Sequence, residues 1–144
     1  MQQRVAVWGT SNTRIHPSCA PDWPQPDQGA GDHRVIVHGD PELALVSRAD
    51  VPGGLYEAVQ VAVAIAPGFF VARHTHPGIE SSFVREGAGT LIVAGQPDRL
   101  LKAGDSFLIP PELPHAVRNG DASTIVAATY IVEKGKPLTT PAKY

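Results

Sequence analysis

The sequence predicts an all-β fold, a closed barrel or a sandwich, on three observations. Val59, Val61, Val63 and Ile65 fall at every second position, the period of a strand with one buried face. From residue 55 onward, short apolar segments alternate with turns that contain Gly or Pro, the pattern of many short strands at regular spacing. No stretch of helical length carries the apolar stripe of an amphipathic helix.

Taken in order, the chain divides into three parts. Residues 1–54 read as an irregular, Pro/Gly-rich arm with possible edge strands, because Pro17, Pro21, Pro24 and Pro26 crowd together just before Gly29 and Gly31 and proline cannot donate to a ladder. Within this arm, residues 34–38 suit an edge strand, and residues 43–46 suit either a strand or a turn of helix. Residues 55–133 form the barrel, with strands expected at 55–66, 69–76, 81–85, 90–93, 99–102, 106–109, 116–119 and 124–132. Pro67-Gly68, Pro77-Gly78 and residues 95–97 are turns between them, and Gly87, Gly89, Gly95 and Gly104 are expected at positive φ. Residues 134–144 are a polar tail.

Composition narrows the function classes. A chain of 144 residues is one domain. The formal net charge of -2 with no basic cluster argues against a nucleic-acid partner. Cys19 is the only cysteine, which excludes an intrachain disulfide and a thiolate zinc site. The longest apolar stretch, residues 59–71, is interrupted by Pro67 and Gly68 and is too short to span a membrane. With no apolar h-region near the start, a cytoplasmic location is expected.

Chemistry concentrates in two clusters. His74 and His76 lie two apart on a strand and share a face. Pro77-Gly78 then reverses or bends the chain and Glu80 begins the return strand, where cross-strand proximity lets its carboxylate share an ion with the imidazoles. The second cluster, residues 104–119, holds His115 after a Pro-rich turn. Imidazoles suit zinc, copper, iron or nickel, and an added carboxylate favours iron or manganese.

Both clusters resemble the two motifs of the cupin superfamily. Gly68, His74, His76, Glu80 and Gly87 fit every position of the first motif, and Gly104, Pro110, His115 and Asn119 fit the second. Glu112 stands where the second motif has a glycine. The resemblance spans residues 68–119 and implies a double-stranded β-helix, or jelly roll. It further implies that His74, His76, Glu80 and His115 bind one divalent metal ion, Fe(II) or Mn(II) foremost and Ni, Zn or Cu as alternatives. Small cupins are commonly dimers, which makes this chain a candidate homodimer and the N-terminal arm a candidate for packing on the partner.

Other residues have plainer roles in the sequence reading. His16, His33 and His38 sit in the irregular arm and are not assigned to the site. Asp105 is expected to bond local backbone, and Arg73 and Arg85 to be surface charges. Phe70, Phe83 and Phe107 are expected to line the barrel or its core, and Glu112 is a candidate for an acid or base at the mouth. The function that follows is a metal-dependent oxygenase or related lyase acting on a small chelating molecule, with Glu80 as a possible base. The alternatives are a metal-dependent isomerase or epimerase of a sugar or keto acid, and a non-enzymatic cupin that binds a small ligand or metal.

Overall fold

The computed structural model describes residues 41–143. Cys19, His16, His33, His38 and the strand expected at 34–38 lie outside the described residues. Among the described residues there are ten strands: β1 (Glu42–Asp50), β2 (Tyr56–Ile65), β3 (Phe70–Thr75), β4 (Gly78–Glu86), β5 (Ala88–Val93), β6 (Arg99–Lys102), β7 (Ser106–Ile109), β8 (His115–Asn119), β9 (Thr124–Glu133) and β10 (Thr140–Pro141). Each strand from β2 to β9 falls within three residues of its expected place. No helix in the described residues is long and apolar enough to cross a membrane.

Two antiparallel five-stranded sheets face each other. The first runs β1-β2-β9-β4-β7 and the second β10-β3-β8-β5-β6. Only the β1–β2 and β5–β6 connections stay within one sheet; every other connection crosses to the opposite one. This winding is a double-stranded β-helix, and it closes an interior that both sheets line.

The valine alternation of β2 does what its period predicts. Val59, Val61, Val63 and Ile65 are all buried, and they pack with Val126, Ala128, Tyr130 and Val132 of β9. Burying each such aliphatic side chain is worth roughly 1.5–3 kcal/mol. A second cluster, Val84, Leu91, Val93, Leu101 and Ile109, fills another part of the barrel. Asn119 knots the connections together: its Nδ2 group donates toward the carbonyls of Ile65, Ala66 and Ala122, and its Oδ1 accepts from the Thr124 hydroxyl at 2.6 Å.

Several expectations need correction. Of the two readings of residues 43–46 the strand is the one observed: they belong to β1, nine residues long, which pairs with β2 as an edge strand of the first sheet. Gly89 is a strand residue of β5 and not a positive-φ turn, whereas Gly87, Gly95 and Gly104 do have positive φ. Gly87 also has no room for a Cβ, which would collide with Ser123 and Thr124 where the chain leaves the first sheet. Phe83 is 47% exposed on the outer face of the first sheet. The reason is parity: Glu80, Ser82 and Val84 are the inward set of β4. The tail is also more than a loose end, since Thr140 and Pro141 pair with Thr75 and His74 of β3.

The largest correction concerns the chain between His76 and Glu80. Strands β3 and β4 do not form a hairpin; they belong to opposite sheets, and Pro77 carries the chain across the barrel. Gly78 enters β4 against the backbone of β9, so closely that a Cβ would collide with the Ile131 carbonyl oxygen. Glu80 therefore faces the histidines from the other wall. His115, for which no strand neighbour was assigned, is the direct ladder partner of His74.

Candidate metal centre

Three imidazoles gather on the second sheet. One ligand atom from each of His74, His76 and His115 lies within 4.8 Å of the others, so the group could hold a metal ion. A bulge in β3 makes this possible. Val71 faces Val117 and His74 faces His115, but the register slips between them, so two residues of β3 oppose one of β8. An inserted residue shifts the parity of the side chains. Val71 packs on the apolar core below the bulge, and His74 and His76 still line the interior above it. The same shift brings Arg73 to the cavity wall, where simple alternation had placed it outside.

Each imidazole is held by a backbone carbonyl. Nδ1 of His74 donates to Ala72 at 2.7 Å, Nδ1 of His76 to Leu138 at 2.7 Å, and Nδ1 of His115 to Leu113 at 2.9 Å. A carbonyl only accepts, so Nδ1 carries the hydrogen in all three rings. A neutral ring then presents a bare lone pair at Nε2. Backbone partners of this kind orient metal-binding histidines. Burial pushes the His74 pKa down to about 4 against a smaller raising effect of the Ala72 hydrogen bond, so this ring is neutral at pH 7.

Glu80 meets the imidazoles from the first sheet. Its Oε2 lies 3.1 Å from Nε2 of His76 and 3.3 Å from Nε2 of His115. Its other oxygen accepts a 2.6 Å hydrogen bond from Ser82. Burial alone would raise its pKa, but hydrogen bonds from His115 and His76, made when their Nε2 also carries a proton, and from Ser82 outweigh burial and hold the carboxyl below the usual carboxylate range. Tyr130, the ladder partner of Glu80, rests its ring 4.8 Å from that of His76. Burial, with the Glu80 charge adding to it, raises the Tyr130 pKa above the usual phenol value.

The donor set fits a cation. Nε2 of His76 and Oε2 of Glu80 are buried with no hydrogen-bond partner, although they are only 3.1 Å apart. Two acceptors face each other there, which is costly in an interior unless a proton or a metal ion lies between them.

The group opens into a cavity of about 360 Å³. Away from the imidazoles its walls are largely hydrocarbon, including Leu43, Val63, Phe69, Val71, Phe107 and Val126. The polar groups His74, His76, Glu80, His115 and Tyr130 all belong to this one cavity, as do Arg73 and Thr139. Phe107 lines it as expected, and Phe70 lines it while remaining 38% exposed. Glu112 does not: its side chain is exposed and its backbone N–H donates to the His76 carbonyl at 3.0 Å. Asp105 accepts from the Lys102 backbone N–H at 3.0 Å, the local role expected of it.

Sequence reasoning missed Ser82, Tyr130 and the Leu138 carbonyl. Parity from Glu80 reaches Ser82 two residues on. Tyr130 could not be oriented in this way, because β9 is apolar on both faces. A backbone carbonyl leaves no mark in the residue pattern.

The architecture is a double-stranded β-helix with a histidine cluster in its interior. The comparison with known families agrees: the cupin domain model matches residues 61–132, and the chain belongs to the cupin family. Solved structures share the fold. A double-stranded β-helix protein from Klebsiella pneumoniae is 20% identical with a TM-score of 0.58, over 74% of this chain and 88% of that one. A cupin-like protein from Thermotoga maritima is 23% identical with a TM-score of 0.56, over 69% and 74% of the two chains. A DMSP lyase from Ruegeria pomeroyi is 24% identical with a TM-score of 0.56, over 59% of this chain and 43% of that one. In sequence, an amine dehydrogenase from Streptomyces virginiae is 55% identical over 42 residues, which span 28% of this chain and 12% of that protein.

Proposed function

We propose that the chain is a metal-dependent enzyme, an oxygenase or a related lyase, acting on a small organic molecule with a chelating polar end. The observation that carries this reading is the cavity: hydrocarbon walls with the ligand-type groups gathered into one cluster. Such a site binds an apolar body and fixes it by a few polar contacts. A sugar would bring many hydroxyls against those walls and lose their hydrogen bonds to water, so an isomerase of a sugar is the weaker reading.

In this reading His74, His76 and His115 hold one divalent ion through Nε2, and Glu80 completes the set through Oε2. Support comes from the buried facing acceptors and from the three backbone-anchored Nδ1 groups. Imidazole with carboxylate suits Fe(II) or Mn(II). When bound, such an ion supplies Lewis acidity toward a chelating oxygen, and redox chemistry if it is iron. Glu80, ionised and held by Ser82, is the group able to accept a proton from an acidic O–H or C–H of the substrate.

The test is turnover by protein loaded with Fe(II) or Mn(II), against a panel of diketones, phenols and small acids in an oxygen electrode. Substrate loss that requires metal and consumes oxygen is expected of an oxygenase, and metal-dependent loss without oxygen uptake of a lyase. Equal turnover in metal-free protein would sink the reading, and metal binding without turnover across the panel would leave a binding module. A homodimer belongs to the same proposal. Ile79, Phe83 and Leu108 are exposed on the outer face of the first sheet, a patch suited to a second copy of the chain. Light scattering should give twice the chain mass for the parent and a monomer for Phe83→Glu. A cytoplasmic location is also proposed, in keeping with the single cysteine.

A further inference from the structure

We propose that the Tyr130 hydroxyl is the hydrogen-bond donor that receives the oxygen end of the ligand beside the metal centre, a role that rests on the metal-dependent reading above. Sheet register builds the phenol into the site. Tyr130 and Glu80 are ladder partners, so their side chains leave the sheet on one face from adjacent positions. Parity along β9 agrees, since Val126, Ala128, Tyr130 and Val132 are its buried set. The ring leans on His76 at 4.8 Å between centroids and forms part of the cavity wall together with His74, His76, Glu80 and His115. A tyrosine is long enough to carry its hydroxyl past a glutamate carboxylate rooted beside it.

The neighbouring groups are already committed to the protein. Each imidazole spends Nδ1 on a carbonyl, and one Glu80 oxygen is taken by Ser82. The Tyr130 hydroxyl makes no hydrogen bond among the described residues. Buried phenol hydroxyls ordinarily find a partner, and one left over at a cavity wall is satisfied by what enters the cavity. A phenol is protonated at neutral pH, so it offers a hydrogen to an acceptor. The ligands selected are those with a carbonyl, enolate, phenolate or carboxylate oxygen at the metal end. A ligand that presents an ammonium there would meet a donor with a donor.

Tyr130→Phe keeps the ring against His76 and removes only the hydroxyl. The probes are Fe(II) alone and 4-nitrocatechol, whose visible band reports its binding to the anaerobic Fe(II)-loaded protein. Fe(II) uptake by the variant should stay within about twofold of the parent. Its affinity for 4-nitrocatechol should fall about tenfold, the loss expected for one hydrogen bond to a charged oxygen. Equal 4-nitrocatechol affinity in the two proteins overturns the assignment, as does a loss of Fe(II) uptake that accounts for the whole effect, because the phenol would then only support His76. If the parent binds 4-nitrocatechol no better with Fe(II) than without it, the metal-dependent reading falls and takes this one with it.

Discussion

Two crossings between the sheets build the site, and they differ in construction. The first takes β3 to β4 through His76 and Pro77 alone, with Gly78 already in β4. The second takes β7 to β8 through five residues, 110–114, and delivers His115 as the first residue of β8. The two meet where the Glu112 N–H donates to the His76 carbonyl. The short crossing has no slack: proline fixes φ, and Gly78 passes too close to Ile131 for any side chain. The long crossing tolerates a conformational cost, because Glu112 sits at φ 58, a region that glycine occupies freely and other residues do not. Rigidity is therefore spent where the chain must place His76 and Glu80 on opposite walls within a few residues.

Substitutions can break or sharpen this contrast. The largest effect is expected from Gly78→Ala, where the new methyl meets backbone that cannot yield. Denaturant unfolding should register a loss of roughly 3 kcal/mol, and a loss under about 1 kcal/mol would mean the crossing is looser than described. Next is Glu80→Gln, which keeps the shape and removes the charge on the wall opposite the imidazoles. Metal affinity should fall by at least about a hundredfold, since losing a ligand costs no less than losing a group that supports one, with the three histidines retaining a weaker site. An unchanged affinity in a competition titration would remove the carboxylate from the ligand set. The smallest effect is a gain. Glu112→Gly relieves the left-handed strain, worth about 1 kcal/mol, partly offset by the larger unfolded-chain entropy of glycine. A melting temperature raised by a few degrees is expected, with metal binding unaltered.

Strand positions were legible because apolar period and turn chemistry are local properties. The valines of β2 reported their own face, and Pro77 and Pro110 marked where the chain changes sheets. What the pattern could not report was pairing. A proline-glycine pair between two strands reads equally as a hairpin turn or as a passage to another sheet, and only packing against Ile131 decides between them. For the same reason Glu80 was legible as a partner of the imidazoles but on the wrong wall, and His74–His115 pairing was not legible from strand signals at all. The β3 bulge was hidden as well, since Phe69 to His76 carry no glycine to announce it; its cost to the sequence reading was the side assigned to Arg73. The tail reads only as a polar segment because its contribution to His76 is a main-chain carbonyl.

The central claim is that His74, His76, Glu80 and His115 form one metal site assembled from both sheets. The most direct test is metal content after anaerobic loading with Fe(II) or Mn(II) and desalting, for the parent and for His76→Ala, with circular dichroism confirming that both retain the β fold. One ion per chain in the parent and none in His76→Ala is the predicted result. A parent that retains no metal, or a His76→Ala protein that retains as much as the parent, would contradict it.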